Sequence, residues 1–225
     1  MAEQVPFADV EFAANPEPRC PCVLLLDVSA SMAGRPLAEL AAGLAAYQED
    51  LLTDSLARQR VEVAVVTFGG AVRTPVPFVP AEAFRPPALV AGGDTPMGRA
   101  VETGIGLVAD RKRLYKQHGL HYFRPWLFLI TDGAPTDDWG PAAAAVREGE
   151  ASQSFAFFSV GVAGADLDAL RRMGPREPVR LNGLSFRELF VWLSQSQRQV
   201  SNSRPGQEDK VPLANPAAPG GWASL

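Results

Sequence analysis

The stretch CVLLLDVSASMAG, Cys22 to Gly34, decides the fold. Five apolar residues, counting Cys22, run into an acid, and two serines follow at alternate positions: Asp27, Ser29 and Ser31. A short continuous apolar run is the pattern of a strand buried on both faces, as in a parallel sheet covered by helices. Its abrupt end in three oxygen-bearing side chains means that the strand leads into a loop that caps something or holds something.

Outward from this strand, the same grammar repeats. Arg35–Arg58 carries Leu37, Leu40, Leu44, Tyr47 and Leu51 at helical spacing, with Pro36 in the first turn. Val61–Gly70 reads as a second strand stopped by two glycines. Ala71–Pro80 alternates like a strand but contains prolines, which belong at a sheet edge. Asp94–Gly119 opens as a helix, with Thr95 as N-cap and Pro96 at the first helical position. Arg124–Gly133 is another apolar run ending in an acid. Helical, strand, helical and strand patterns follow over Gly140–Ser152, Ser154–Val162, Ala165–Met173 and Val179–Gly183, and Ser185–Ser201 is a last amphipathic helix. The alternation predicts an α/β protein: a doubly wound, mostly parallel central sheet with helices on both faces. The chain divides into an N-terminal extension (1–19), one domain (20–203) and a Pro/Gly-rich tail (204–225).

Composition narrows the function. The 225 residues are 47% hydrophobic and 20% charged, which suits a sizeable core. A net charge of −4 argues against a general nucleic-acid binder. No apolar run is long enough to span a membrane. The acidic start MAEQVPFADVEF lacks the basic and apolar regions of a secretory signal, so the expected location is the cytoplasm. Cys20 and Cys22 are then expected as free thiols, because a disulfide between them would close a small, strained ring.

In a parallel sheet, ligands bind beyond the carboxyl ends of the strands. Three loops reach that edge: the one after Asp27, the one before Thr95, and the one after Thr131-Asp132-Gly133. They bring two carboxylates and three hydroxyls, with no histidine or thiolate. Oxygen-only ligation suits Mg²⁺, with Mn²⁺ or Ca²⁺ as substitutes.

These residues carry a resemblance. DVSAS, Thr95 in GGDTPMG and Asp132 in TDG resemble the D-x-S-x-S, Thr and Asp elements of a von Willebrand factor A domain, over about Cys20–Ser201. LLLDVSASMAG, LFLITDGAPTDDW and the C-terminal helix are most similar to the bacterial tellurium-resistance TerY group, the YegL-like proteins. The resemblance implies one short antiparallel edge strand, Val72–Val79. It implies a metal-ion-dependent adhesion site of Asp27, Ser29, Ser31, Thr95 and Asp132, with the hydroxyls direct ligands and the carboxylates direct or through water. It further implies recognition of an acidic group on another protein, with protein kinases or phosphatases as associated partners.

Other features have plainer readings. Asp94, Asp137, Asp138 and Trp139 are candidates for a partner-binding rim, although Thr136 or Asp137 is expected to cap the helix at Pro141. His118, His121 and the basic run Asp110–Lys116 read as surface or packing residues. Two other functions remain open: a scaffold whose metal only ties loops together, and a Mg²⁺-dependent hydrolase. The second lacks support, because a phosphatase of the haloacid-dehalogenase type needs an acid where Ser29 stands, and a serine nucleophile needs flanking glycines and a base. In the tail, Val211, Leu213, Trp222 and Leu225 are the available anchors, and Trp222 is expected to pack on the domain or on a partner.

Overall fold

The computed structural model describes residues 15–224. The strands are β1 (Cys20–Asp27), β2 (Val61–Gly69), β3 (Ala71–Pro80), β4 (Trp126–Thr131), β5 (Ala156–Gly161), β6 (Val179–Leu181) and β7 (Ala223–Ser224). The helices are α1 (Arg35–Thr53), α2 (Ser55–Arg60), α3 (Met97–Gln117), α4 (Gly140–Ala151), α5 (Leu167–Met173) and α6 (Phe186–Ser201). The sheet order is β3-β2-β1-β4-β5-β6-β7. The β2–β1–β4–β5–β6 pairs are parallel.

All eight residues of β1 are buried. Alternation sends Cys20, Cys22, Leu24 and Leu26 to one face, where α1 and α6 pack through Leu44, Tyr47, Leu189 and Phe190. Val23 and Leu25 point to the other face, against Ala100 and Val101 of α3 and Ala142 and Val146 of α4. One strand thus feeds two cores. The chain winds outward from β1 through β2 in one direction and from β4 onward in the other. The crevice between β1 and β4 is therefore the topological switch point, where a doubly wound sheet holds its ligands.

The fold class is as the sequence predicts. The proline-bearing segment is the antiparallel edge β3, paired on β2 with two register irregularities. The opposite edge carries an addition: β7, drawn from the tail, pairs antiparallel with β6. Trp222 is buried and meets Trp192 of α6 edge-on, with ring centroids 5.6 Å apart. Asn182 N–H donates to Trp222 O (2.8 Å), and Trp192 Nε1 donates to Ala214 O (2.7 Å). The tail is thus docked on the domain, through the tryptophan that the sequence singled out. Leu225 and residues 1–14, which include most of the N-terminal extension, lie outside the described residues.

Three local expectations need correction. The helix expected over 35–58 is broken at Asp54, whose extended backbone and side chain cap a new helix by accepting from Leu56 and Ala57 N–H (2.9 and 2.8 Å). Thr95 does not cap α3, which starts at Met97 after Pro96. Neither Thr136 nor Asp137 caps α4. Asp137 instead reaches across to α3, as described below.

Cys20 and Cys22 are free and buried. Burial pushes the Cys22 thiol up to about 12, so it stays protonated near neutral pH. Among the described residues, no helix is long and apolar enough to cross a membrane.

Candidate metal centre

β1 ends at Asp27, whose carboxylate has no solvent exposure. Two donors hold it: Ser29 N–H to Oδ1 (2.8 Å) and Thr131 Oγ1 to Oδ2 (2.5 Å). The first bond turns the chain sharply after the strand. The second comes from the end of β4, which parallel pairing sets beside β1. Thr131 was not among the expected site residues. In the sequence it is only the last residue of an apolar run, and its role exists only once β1 and β4 are neighbours.

The two serines continue the line. Ser29 Oγ and Ser31 Oγ are 3.0 Å apart, and Ser31 Oγ donates to Asp132 Oδ1 (2.7 Å). The third loop brings Thr95, buried beside Gly133: a Cβ on Gly133 would lie 3.2 Å from Thr95 Oγ1 and 3.9 Å from Asp27 Oδ2. Thr95 Oγ1 has no hydrogen-bond partner among the described residues. The structure thus brings Asp27, Ser29, Ser31, Thr95 and Asp132 to one crevice.

The loops are also fixed by backbone contacts that do not use these side chains. Ala30 N–H donates to Gly93 O (3.0 Å), and Gly70 N–H to Asp94 O (2.9 Å). Gly70 and Gly93 cross closely at φ +67° and +75°, and a Cβ on Gly93 would stand 2.4 Å from Gly70 Cα. Only glycine allows that approach. Thr95 and Thr136 clasp each other: Thr95 N–H donates to Thr136 Oγ1 (3.1 Å) and Thr136 N–H to Thr95 O (3.0 Å).

Asp137 completes the clasp. Its two oxygens accept from Gly98 and Arg99 N–H, each at 2.9 Å, at the start of α3. A carboxylate there meets free N–H groups and the positive helix end. Asp137→Ala is expected to cost about 1–2 kcal/mol and to loosen the loop bearing Thr95; urea unfolding and a cation titration of the variant check both.

The rim therefore divides. Asp94 and Asp138 are exposed, and Asp138 Oδ1 accepts from Gly140 N–H (3.1 Å). Asp137 is engaged inward. Trp139 is half-buried against the second core, with the Arg172 guanidinium 5.0 Å over its ring.

The electrostatics favour a cation. Burial raises the Asp27 pKa, and the Asp132 charge adds to the rise, against the lowering by the Ser29 and Thr131 hydrogen bonds. A divalent ion would offset both the desolvation and the repulsion. No group of three or more His, Cys, Asp or Glu suited to a metal occurs among the described residues. Any cation held here must use the hydroxyls, and an all-oxygen set of two carboxylates and three hydroxyls fits a hard one.

Comparison with known proteins agrees with this fold. No curated protein matches the sequence. Among solved structures, the pilus adhesin SpaC of Lactobacillus rhamnosus GG in its open conformation is similar at 14% identity and a TM-score of 0.63, over 82% of this chain and 31% of that one. Proximal thread matrix protein 1 of the mussel byssus, solved with a zinc-occupied MIDAS motif, is similar at 15% identity and a TM-score of 0.55, over 82% of this chain and 49% of that one. BatB of Bacteroides thetaiotaomicron matches at 16% identity and a TM-score of 0.53, over 80% of this chain and 98% of that one. The chain spans about half the length of the mussel protein and about a third of the adhesin. At these identities the likeness is one of fold. The profile of the von Willebrand factor type A domain matches residues 22–188, most of the chain and all of the candidate centre, and the protein belongs to that family.

Proposed function

We infer that this domain is a non-catalytic recognition module that holds a divalent cation through Asp27, Ser29, Ser31, Thr95 and Asp132 and offers it to an acidic side chain of a partner protein. The observation that carries this reading is the convergence of five oxygen donors at the switch point, one of them a hydroxyl with no hydrogen-bond partner among the described residues. Mg²⁺ is the first choice for such a set, with Mn²⁺ or Ca²⁺ as substitutes. The zinc-occupied site of the mussel protein and the adhesin identity of SpaC support the class of function.

In this reading Asp27 and Asp132 would balance the charge of a divalent ion without supplying a surplus negative ligand, and the ion would supply Lewis-acid affinity for an incoming carboxylate. The chain's own residues do the rest. Thr131 and the Ser29 N–H orient Asp27, and Asp137 positions the Thr95 loop. The exposed Asp94 and Asp138 repel partners that present more than a focused acid.

A scaffold function is less well supported. Ser31–Asp132 and Thr95–Thr136 already join the three loops without an ion. Hydrolysis is also disfavoured, because the neighbour of Ser29 Oγ is another hydroxyl and not a base. We further propose that the module works in a bacterial, cytoplasmic stress-response or tellurium-resistance-type signalling system with a protein kinase or phosphatase as partner, a reading supported by the resemblance of LLLDVSASMAG and LFLITDGAPTDDW to the TerY group.

The test is selection of displayed random peptides on the immobilised protein in Mg²⁺. Peptides bearing Asp or Glu are expected to be enriched, and the enrichment is expected to vanish with EDTA or in Thr95→Val. Recovery of the same peptides in EDTA, or of peptides without acids, would contradict the proposal.

A further inference from the structure

Away from the metal centre, at the opposite end of the sheet, α3 and α4 part. The α3 face there is Ile105, Ala109, Lys112, Arg113 and Lys116; the α4 face is Ala145, Glu148, Gly149 and Ser152. Small residues, Ala109 on one helix and Ala145, Gly149 and Ser152 on the other, stand between the longer charged side chains. Where larger side chains would interlock, a cleft of about 490 Å³ stays open instead. Its floor is apolar: Val108 and Phe155 are buried beneath it, and the Phe155 ring lies so close over Gly149 that a Cβ there would stand 2.2 Å from it. Its mouth is basic. Arg113 is balanced by Asp110 (3.0 Å), but neither Lys112 nor Lys116 forms an ion pair among the described residues. Lys112 is half-buried, with Nζ donating to Ser154 O (3.1 Å) at the lip.

We propose that this cleft binds a small amphiphilic carboxylate, a medium-chain fatty acid or aryl-alkanoate, with its apolar body on Val108, Ala109, Ala145 and Phe155 and its carboxylate at Lys112 and Lys116. The volume falls in the range of small-ligand pockets, ~300–1,000 Å³. The charge favours an anion: burial, and then the Lys116 charge, lower the Lys112 pKa, and a carboxylate beside the ammonium groups would offset both. With Arg113 balanced by Asp110, the cleft still sets two ammonium groups against the single carboxylate of Glu148, and a neutral apolar molecule would leave that excess charge in place.

Octanoate is the probe, titrated into the full chain and followed by calorimetry and by the NMR signals of the lysine side chains. One site is expected, with the Lys112 titration moving upward on binding. Ala109→Trp and Ala145→Trp fill the cleft from opposite helices, so each is expected to remove binding while melting temperature holds. Lys112→Met is expected to weaken octanoate about tenfold, the loss of one charged contact, and to leave 1-octanol binding unchanged. The proposal is overturned if octanoate does not bind at millimolar concentration. It is equally overturned if octanoate binds both tryptophan variants as it binds the wild type, or if Lys112→Met weakens the alcohol as much as the acid.

Discussion

Glu62→Gln is expected to lower the stability of the domain by roughly 3–5 kcal/mol, the largest effect of any single side chain considered. Glu62 lies in β2 at 1% exposure, between two guanidinium groups that are themselves buried. Arg19 Nε stands 3.0 Å from Oε1 and Arg111 Nε 2.7 Å from Oε2, and the Tyr115 hydroxyl donates to Oε2. Arg19 spends its other donors on backbone carbonyls of Asn15 and Glu17. The group ties the entry to β1, the start of β2 and the last turns of α3. Burial works to lower the Arg111 pKa, yet Glu62 holds it above its ordinary value. Glutamine keeps the shape but removes the buried negative charge that both guanidinium groups meet. For a domain of this size each kcal/mol is worth about 2–4 °C, so the melting temperature should fall by roughly 6–20 °C. A loss below about 1 kcal/mol in urea unfolding would mean that water reaches the cluster and the burial argument fails.

The second large effect concerns the tail. Trp222→Ala is expected to cost roughly 2–4 kcal/mol, below the upper range for a buried tryptophan. The limit is physical: once the anchor is lost, the tail can detach, and the cost cannot exceed the free energy with which it docks. Deleting residues 204–225 should therefore destabilise at least as much as Trp222→Ala. Trp192, which Trp222 covers, should become wetter, with a red-shifted emission. A deletion variant that melts like the wild type would show that β7 and the Trp192–Trp222 contact contribute nothing.

The contrast between these two sites and the metal centre shows what one sequence can tell. The strands were legible because CVLLLD and WLFLIT are continuous apolar runs closed by an acid or hydroxyl, a pattern that fits a sheet buried on both faces. The five candidate ligands were legible because each sits at a strand end or just before a helix. What was hidden is non-local. Asp137 resembles a cap for the helix that follows it, yet it caps α3, 39 residues earlier, because the clasp between Thr95 and Thr136 brings the start of that helix closer. Thr131 and Glu62 each look like ordinary strand residues until their partners, 104 and 49 residues away, are in place. The break at Asp54 is different. Its signal, Asp before Ser-Leu-Ala, was present, but the leucine periodicity on either side masked it.

The most direct test of the account is calorimetric titration of the full chain with Mg²⁺ and Mn²⁺, beside Asp27→Asn and Thr95→Val. The account predicts one site in the wild type and none in either variant. It also predicts that cation at a hundredfold excess over its dissociation constant stabilises only the wild type, by about 2.7 kcal/mol. In chelator, Asp27→Asn should be at least as stable as the wild type, because the repulsion between Asp27 and Asp132 is gone. Equal cation binding by wild type and both variants would contradict the assignment of the centre.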